Sequence, residues 1–489
     1  MGLPIDRTRF TEADHAHFAQ RLQDSLRALQ VLLARPGFGA GPSSLGAELE
    51  LSLVDARGLP LPRNRQVLDA TPDPRVTPEM GRFNLELNLR PTLLAGRPFT
   101  ALERELQHGL GEARRAAAAQ GGRIAVVGLV PTVRREDLGS QALTDLPRYR
   151  ALSRSLREAS PEPFRIRIQG EDLLELAWDD VTLEAANTSF QIHLRVEPRT
   201  FARLFNAAQL ATAPALAASV NSPLFLGRRL WDETRVALFQ QSLDTRDSVH
   251  EAPRVGFGQG WVREGALELF AESVALFAPL LPVVGEEEPL ARVRAGAVPG
   301  LEELRLHQST VWSWNRAVYD PEGEGHVRIE LRALPAGPTV QDMLANAAFL
   351  VGLTLGLAPE VDALLPGLPF TAARDSFYAA ARYGLEARLA WPSPVAPSPR
   401  DLPARELIPL LLPVAHRGLV DAGVAAEEAD GLLDVIAQRA ASGLTGAAWQ
   451  RRTLAALERT QPRETALRGL LERYLALSEA GQPVHTWPV

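Results

Sequence analysis

The chain has 489 residues, 46% hydrophobic and 23% charged, the balance of a soluble chain with a full core and, at about 150 residues per domain, room for about three domains. Its 52 basic against 59 acidic residues leave a net charge of −7, which argues against a dedicated nucleic-acid binder, whose affinity needs a cationic face. There is no cysteine and no lysine, so disulfides, thiolate metal sites, cysteine nucleophiles, Schiff-base lysines and P-loop lysines are all excluded.

The opening MGLPIDRTRFTEADH lacks an apolar stretch behind a basic start, so no signal peptide is expected. The longest apolar runs, 347–358 and 407–415, fall short of the ~20 residues of a membrane span. The expected address is the cytoplasm. Phe18, Leu22, Leu26 and Leu29 repeat at helical spacing over 11–34. The GFGAGPSS stretch at 37–44 follows, and without P-loop spacing or its lysine it reads as a plain loop.

Four segments then alternate strictly, apolar residues to one face and polar to the other, the period of a half-buried strand. Leu45, Ala47, Leu49, Leu51 and Leu53 oppose Glu48, Glu50 and Ser52; Phe83, Leu85, Leu87 and Leu89 oppose Asn84, Glu86, Asn88 and Arg90. Phe190, Ile192, Leu194 and Val196 oppose Ser189, Gln191, His193 and Arg195; Val327, Ile329 and Leu331 oppose His326, Arg328, Glu330 and Arg332. Strands buried on both faces read as unbroken apolar runs, so these do not belong to a doubly wound parallel sheet. The expected fold class is α+β: an antiparallel sheet with an open polar face and helices packed on the other. Helical spacing covers 201–218, 266–281, 372–389 and 403–457, and Thr339 with Asp342 three residues on marks a helix start running to Leu355. The Pro-rich WPSPVAPSPRDLP at 391–403 is the best linker candidate, either dividing a domain at 1–400 from a helical segment at 401–489 expected to pack on it or forming an exposed loop inside one domain.

The polar faces are unusual because glutamates recur on them. Clustered carboxylates repel unless something positive sits among them. Either Arg90, Arg195, Arg328 and Arg332 pair with them across strands, or they hold Mg²⁺, a hard cation that shares oxygen ligands with substrate phosphates. The repetition over four strands favours the metal. His15 and His17 read as surface residues and His416 as structural. No HExxH helix or GxSxG elbow is present, so zinc hydrolysis and serine esterase chemistry have no motif. GFGQGW at 256–261 reads as a turn or bulge, and Trp312 and Trp314 share a face if extended, as core or as a pocket wall.

Five stretches in order, GAELELSLVD (46–55), EMGRFNLELNLRP (79–91), NTSFQIHLRV (187–196), NSPLFLGRRLWDETR (221–235) with LDTR (243–246), and TVWSWNR through HVRIELRALPAGPT (310–339), resemble the glutamate–cysteine ligase and carboxylate–amine ligase family, which has a glutamine-synthetase-like catalytic fold. The resemblance implies transfer of the ATP γ-phosphoryl to a substrate carboxylate, then attack by an amine on the acyl phosphate. It implies ATP as co-substrate with Mg²⁺, and metal ligands at Glu48, Glu50, Glu79, Glu86, His193 and Glu330. Gln191, His193, Arg328 and Arg332 fall at its nucleotide positions, leaving open which of Gln191 and His193 meets metal. Glu330 and Arg332 are its catalytic pair, and Asn221, Ser222, Arg235 and Arg246 lie in its amino-acid pocket. The implied reaction joins the γ-carboxylate of glutamate, or a similar carboxylate, to an amine such as cysteine, among small-molecule partners only; no nucleic acid or membrane is implied, and a homo-oligomer is compatible. A ligase homologue that only binds nucleotide or amino acid, or a carboxylate or guanidino phosphotransferase, are the alternatives. The tryptophan-rich STVWSWNR and the ALPAGPTVQDM run depart from the best-studied ligases.

Overall fold

The computed structural model describes residues 5–489 except 161, 247, 249 and 393–397. Its centre is an eight-stranded sheet built from β1 (Ser44–Asp55), β2 (Val76–Pro78), β3 (Asn84–Asn88), β4 (Thr92–Leu93), β5 (Gly122–Ala125), β6 (Phe190–Val196), β7 (Asn315–Asp320) and β8 (His326–Leu331). The order is β7-β8-β6-β1-β3-β2, and β4 and β5 pair with the two ends of β1. Every pairing in it is antiparallel. This is the α+β sheet that the alternation implies, with boundaries within a residue or two of the four periodic segments.

Leu45, Leu49, Leu51 and Leu53 on β1, Leu85 and Leu87 on β3 and Ile192 and Leu194 on β6 are all wholly buried. They pack under helices α2 (Pro98–Ala119), α4 (Phe201–Ser219) and α5 (Val340–Leu357). Thr339 caps α5 by accepting from the Asp342 amide at 3.0 Å, the start its sequence signals. Among the described residues α5 is the helix long and apolar enough to cross a membrane, yet 83% of that stretch is buried inside the fold. It is a core helix.

The apolar pattern over 403–457 is three helices rather than one: α6 (Ala404–Asp421), α7 (Ala426–Ser442) and α8 (Gly446–Glu458), followed by α9 (Arg463–Ala480). Gly423 and Gly443, both at positive φ, turn the chain between them. Contact between α5 and α6 demands glycine: a Cβ on Gly418 would stand 2.2 Å from the Gly352 carbonyl oxygen. The helix expected over 372–389 stops at Tyr383, and Arg388–Trp391 instead pairs with Arg400–Pro403 as a hairpin. The core of the proposed linker, 393–397, lies outside the described residues. The helix expected over 266–281 ends at Leu276.

One further helix positions the site. α3 (Pro147–Ala159) begins with Arg148, which donates to the Ser309 hydroxyl at 3.0 Å, and Tyr149, whose hydroxyl meets the Pro78 carbonyl on β2 at 3.4 Å. Ser309 ends the helix Glu302–Gln308 that leads into β7. The first turn of α3 therefore joins the two margins of the sheet, β2 and the β7 side, across the curved polar face.

Candidate active site

Register alone assembles the polar side chains. On β1, Glu50 faces Glu86 of β3, and Glu48 lies between Asn88 of β3 and Gln191 of β6. His193 of β6 faces Glu330 of β8, which faces Arg316 of β7. Side chains of one parity share a face, so a strip of acids, amides, imidazole and guanidinium runs across five strands.

The strip has two electrostatic ends. At one, Glu330 is only 3% exposed and receives Arg316 on both oxygens, Nε to Oε2 at 2.6 Å and a terminal nitrogen to Oε1 at 3.1 Å, with Arg332 adding 3.2 Å to Oε2. Burial pushes its carboxyl up, but Arg316, Arg332 and His193 together hold it far below the ordinary value. Glu48 lies beside it; burial raises its carboxyl, and the His193 ring, 3.1 Å away, brings it net below the usual range. One ligand atom each from Glu48, His193 and Glu330 lies within 4.8 Å of the other two. Arg316, which holds Glu330, and Arg328, which meets His193, also wall a cavity of about 160 Å³ together with Arg148 and Arg305.

At the other end, among the described residues, the carboxylates have no guanidinium within hydrogen-bonding distance. Glu50 accepts from the Ser189 amide (2.6 Å) and hydroxyl (2.9 Å) and from Gln191 (3.0 Å); burial raises its carboxyl, partly offset by Arg332, Ser189 and Arg235. Glu86 accepts from Asn88 at 2.7 Å, and burial with its Glu48 and Glu79 neighbours lifts it well above 4.5. Glu79 is pushed up to about 7, by burial first and then by Glu50. Glu184, on the short helix Thr182–Ala185 ahead of β6, is raised for the same reasons by Glu79 and Glu50. Four carboxylates so placed cannot all ionise without cations.

The donor set fits Mg²⁺. The oxygens are hard ligands, and the 7%-exposed His193 leaves its buried Nε2 without a hydrogen bond. Glu48, His193 and Glu330 would hold one ion; among the described residues Glu50, Glu79 and Glu86 do not bring their oxygens together in the same way.

Pairing with arginine thus accounts for the carboxylate at the Glu330 end and not for those at the other. Of the four arginines expected to neutralise the glutamates, only Arg332 does so. Arg328 pairs with Asp320, Arg195 bonds the Ala40 carbonyl at 3.0 Å within the glycine-rich loop, and Arg90 is exposed. The guanidinium that does most of the pairing, Arg316, was not anticipated, and neither were Arg148 and Glu184. Gln191 accepts from Arg332 at 2.5 Å while donating to Glu50, so it bridges the two ends.

The residues assigned to an amino-acid pocket fall elsewhere. Asn221 and Ser222 are buried and wholly engaged: Asn221 donates to the Ala336 carbonyl and Tyr474 hydroxyl, each at 2.8 Å, and accepts from Gln450 at 3.0 Å, while Ser222 donates to Glu233 at 2.6 Å. Arg235 bonds Glu233 at 3.1 Å and the Ala333 carbonyl, with its guanidinium 5.5 Å from the Trp314 ring centroid. It reaches the site only through its field on Glu50. Arg246 is chelated by Asp244, both bonds 2.7 Å, away from the sheet. Trp312 and Trp314 are core residues, His15 and His17 are exposed, and His416 ties α6 to α7 through Asp430 at 3.1 Å. GFGQGW turns through Gly258 at φ 108°.

The pattern of a known family, glutamate-cysteine ligase family 2, matches residues 44–474 and so takes in all eight strands and most of α9. The chain belongs to that family. Members of glutamate-cysteine ligase family 2 are carboxylate–amine ligases, which fits a face that gathers carboxylates and arginines. By fold the chain is similar to the glutamate–cysteine ligase of Francisella tularensis, solved in complex with AMP, at a TM-score of 0.54 and 10% identity over 91% of this chain and 90% of that one. A bifunctional glutathione synthetase from Pasteurella multocida matches more loosely, at a TM-score of 0.48 and 12% identity over 95% of this chain and 55% of that one. No curated protein matches the sequence.

Proposed function

We propose that this family member is an ATP- and Mg²⁺-dependent ligase that joins the γ-carboxylate of glutamate to an amine, with cysteine the first acceptor to test. The observation that carries the reading is the Glu48–His193–Glu330 triad, whose Glu330 is held by an arginine that also walls a cavity and whose Glu48 neighbours Glu86 of the acidic end. Bound Mg²⁺ would supply charge neutralisation and alignment of the phosphates.

The chain's own residues then do the positioning. Arg332 is held by Glu330 and Gln191 with its fork on the polar face, where it can clamp the γ-phosphoryl oxygens as charge develops. Arg316 fixes the plane of Glu330 and donates from its other terminal nitrogen to the Gln308 carbonyl at 3.0 Å and the Val311 carbonyl at 3.4 Å. Arg148, Arg305 and Arg328 offer cationic walls for the other phosphates. The acidic end is suited to the ammonium groups of the amino-acid substrates and to a second cation. In this reading the helices after position 400 belong to the same catalytic unit, because Gln450 of α8 and Tyr474 of α9 hold Asn221, and Asn221 holds the loop that leaves β8 at Ala336.

The test is ADP release in the presence of ATP, Mg²⁺, glutamate and a panel of amines. Release that requires both glutamate and one amine supports the ligase and names the acceptor. Release with glutamate alone points to acyl phosphate formation with another acceptor. No release with any pair, despite ATP binding, rejects the reaction.

A further inference from the structure

We propose that the cavity between α9 and the tip of the hairpin at 224–229 is a binding site for a small amphipathic monocarboxylate, its apolar body on a floor of leucine and valine and its carboxylate at Arg135. The cavity shares no residue with the polar strip, and the proposal goes beyond the ligase reading without resting on it.

The cavity measures about 410 Å³, within the range of small-molecule sites. Four segments wall it: the turn after β1, the stretch that follows β5, the hairpin tip and the first turns of α9. Leu59, Val133 and Leu467 are buried and, with Leu226, make its walls apolar. The rim is cationic, with Arg134, Arg135, Arg463 and Arg468. Three of these are already neutralised: Arg134 by Asp137 at 2.7 Å, Arg463 by Asp172 at 3.2 Å and Arg468 by Glu464 at 2.5 Å. Arg135 is the exception. It is exposed, its guanidinium lies 5.6 Å from the Trp178 ring centroid, and it has no acidic partner among the described residues. One uncompensated guanidinium beside an apolar floor calls for one anionic group, and its planar fork suits a carboxylate. A polyphosphate would bring further negative charge against the rim carboxylates, Glu464 among them.

The hairpin tip adds an independent observation. Its two-residue turn, Leu226–Gly227, has positive φ at both positions, 48° and 68°. Such turns ordinarily take asparagine, aspartate or glycine ahead of the glycine, because other side chains crowd the backbone at left-handed φ. Leucine therefore strains the turn, and what its side chain supplies there is an apolar wall of the cavity. The tip lies against α9, since a Cβ on Gly227 would stand 3.9 Å from the Leu467 side chain. Leu226 and Leu467 thus bring the two sides of the floor together.

The experiment is calorimetric titration of the full-length protein with hexanoate, heptanoate and octanoate below their micellar concentrations, with 1-octanol and inorganic pyrophosphate as comparators. The expected result is saturable binding of octanoate at one site per chain, weakening about fourfold for each methylene removed. Octanol, with the same body and no charge, is expected to bind at least about tenfold more weakly, and Arg135→Gln to weaken octanoate by at least about tenfold. Leu226→Gly is expected to weaken octanoate several-fold while melting no earlier than the native protein, because glycine suits the turn. The proposal is overturned by any of four results: no saturable octanoate binding, a flat chain-length series, octanol or pyrophosphate binding as tightly as octanoate, or octanoate affinity unchanged in either variant.

Discussion

Replacing Arg316 by methionine isolates the anchoring of Glu330. Methionine keeps much of the apolar stem but removes both bonds to Glu330 and the bonds to the Gln308 and Val311 carbonyls. Glu330 has 4% side-chain exposure and Arg316 17%, so the pair is close to the buried limit, where loss of one partner costs about 3–5 kcal/mol. Arg332 still reaches Oε2 at 3.2 Å, so the expected loss is about 3 kcal/mol, the lower end of that span. Urea unfolding followed by tryptophan fluorescence would measure it, once without divalent cation and once in saturating Mg²⁺. The loss should shrink in Mg²⁺, because the ion replaces the missing positive charge beside Glu330. A loss under about half a kcal/mol, the size of an exposed pair, would refute the assignment of Arg316 as the anchor.

Glu330→Gln removes charge at constant volume and should abolish ADP release with an unchanged circular-dichroism spectrum; normal turnover and Mg²⁺ dependence would remove Glu330 from the site. Arg332→Lys should lower kcat by about 10²–10³-fold, since an ammonium cannot copy the planar fork, and a near-normal kcat would make Arg332 structural. Glu79, with its carboxyl raised from 4.5 to about 7, favours the fold while protonated, so its contribution is full below pH 4.5 and is lost as pH rises through 7. Thermal melts without divalent cation should therefore fall from pH 5 to pH 8, and Mg²⁺ should restore more at pH 8 than at pH 5; a flat difference would count against cation binding at the acidic end. Asn221→Ala should cost about 1–3 kcal/mol in unfolding experiments, because it takes the donor from the buried Ala336 carbonyl and one bond each from the Tyr474 hydroxyl and Gln450 amide, while KM for both substrates stays unchanged.

How much of this was legible beforehand depended on whether a residue's role is written along its own strand. Glu48, Glu50, Glu86, His193 and Glu330 could be read as one group because period-two alternation tells which side chains share a face, and strand register brings that face together. Arg316 could not be singled out in that way. Its segment alternates weakly, Trp314 and Tyr319 both being core, and what gives it a role is β7 pairing with β8 so that it lies opposite Glu330. Arg148 and Glu184 reach the site from helices, through curvature of the sheet that no local pattern records. The Asn221–Arg235 stretch shows the converse failure: the residues suit a substrate pocket chemically, yet α8 and α9, from more than two hundred positions on, cover Asn221. The breaks at Gly423 and Gly443 had a visible signal, since glycine at a helix end commonly adopts the positive φ found there.

The triad also has a kinetic meaning. Glu48, His193 and Glu330 come from strands at 44–55, 190–196 and 326–331, and β6, in the middle, must pair with both of the others before the three carry their ligand atoms together. These are pairings of high contact order, closed late because long loops must first be ordered. A fragment ending before β8 has no third ligand. Metal affinity should therefore rise in step with the last sheet pairings during refolding, which makes a luminescent or paramagnetic ion at this site a reporter of complete assembly rather than of early collapse.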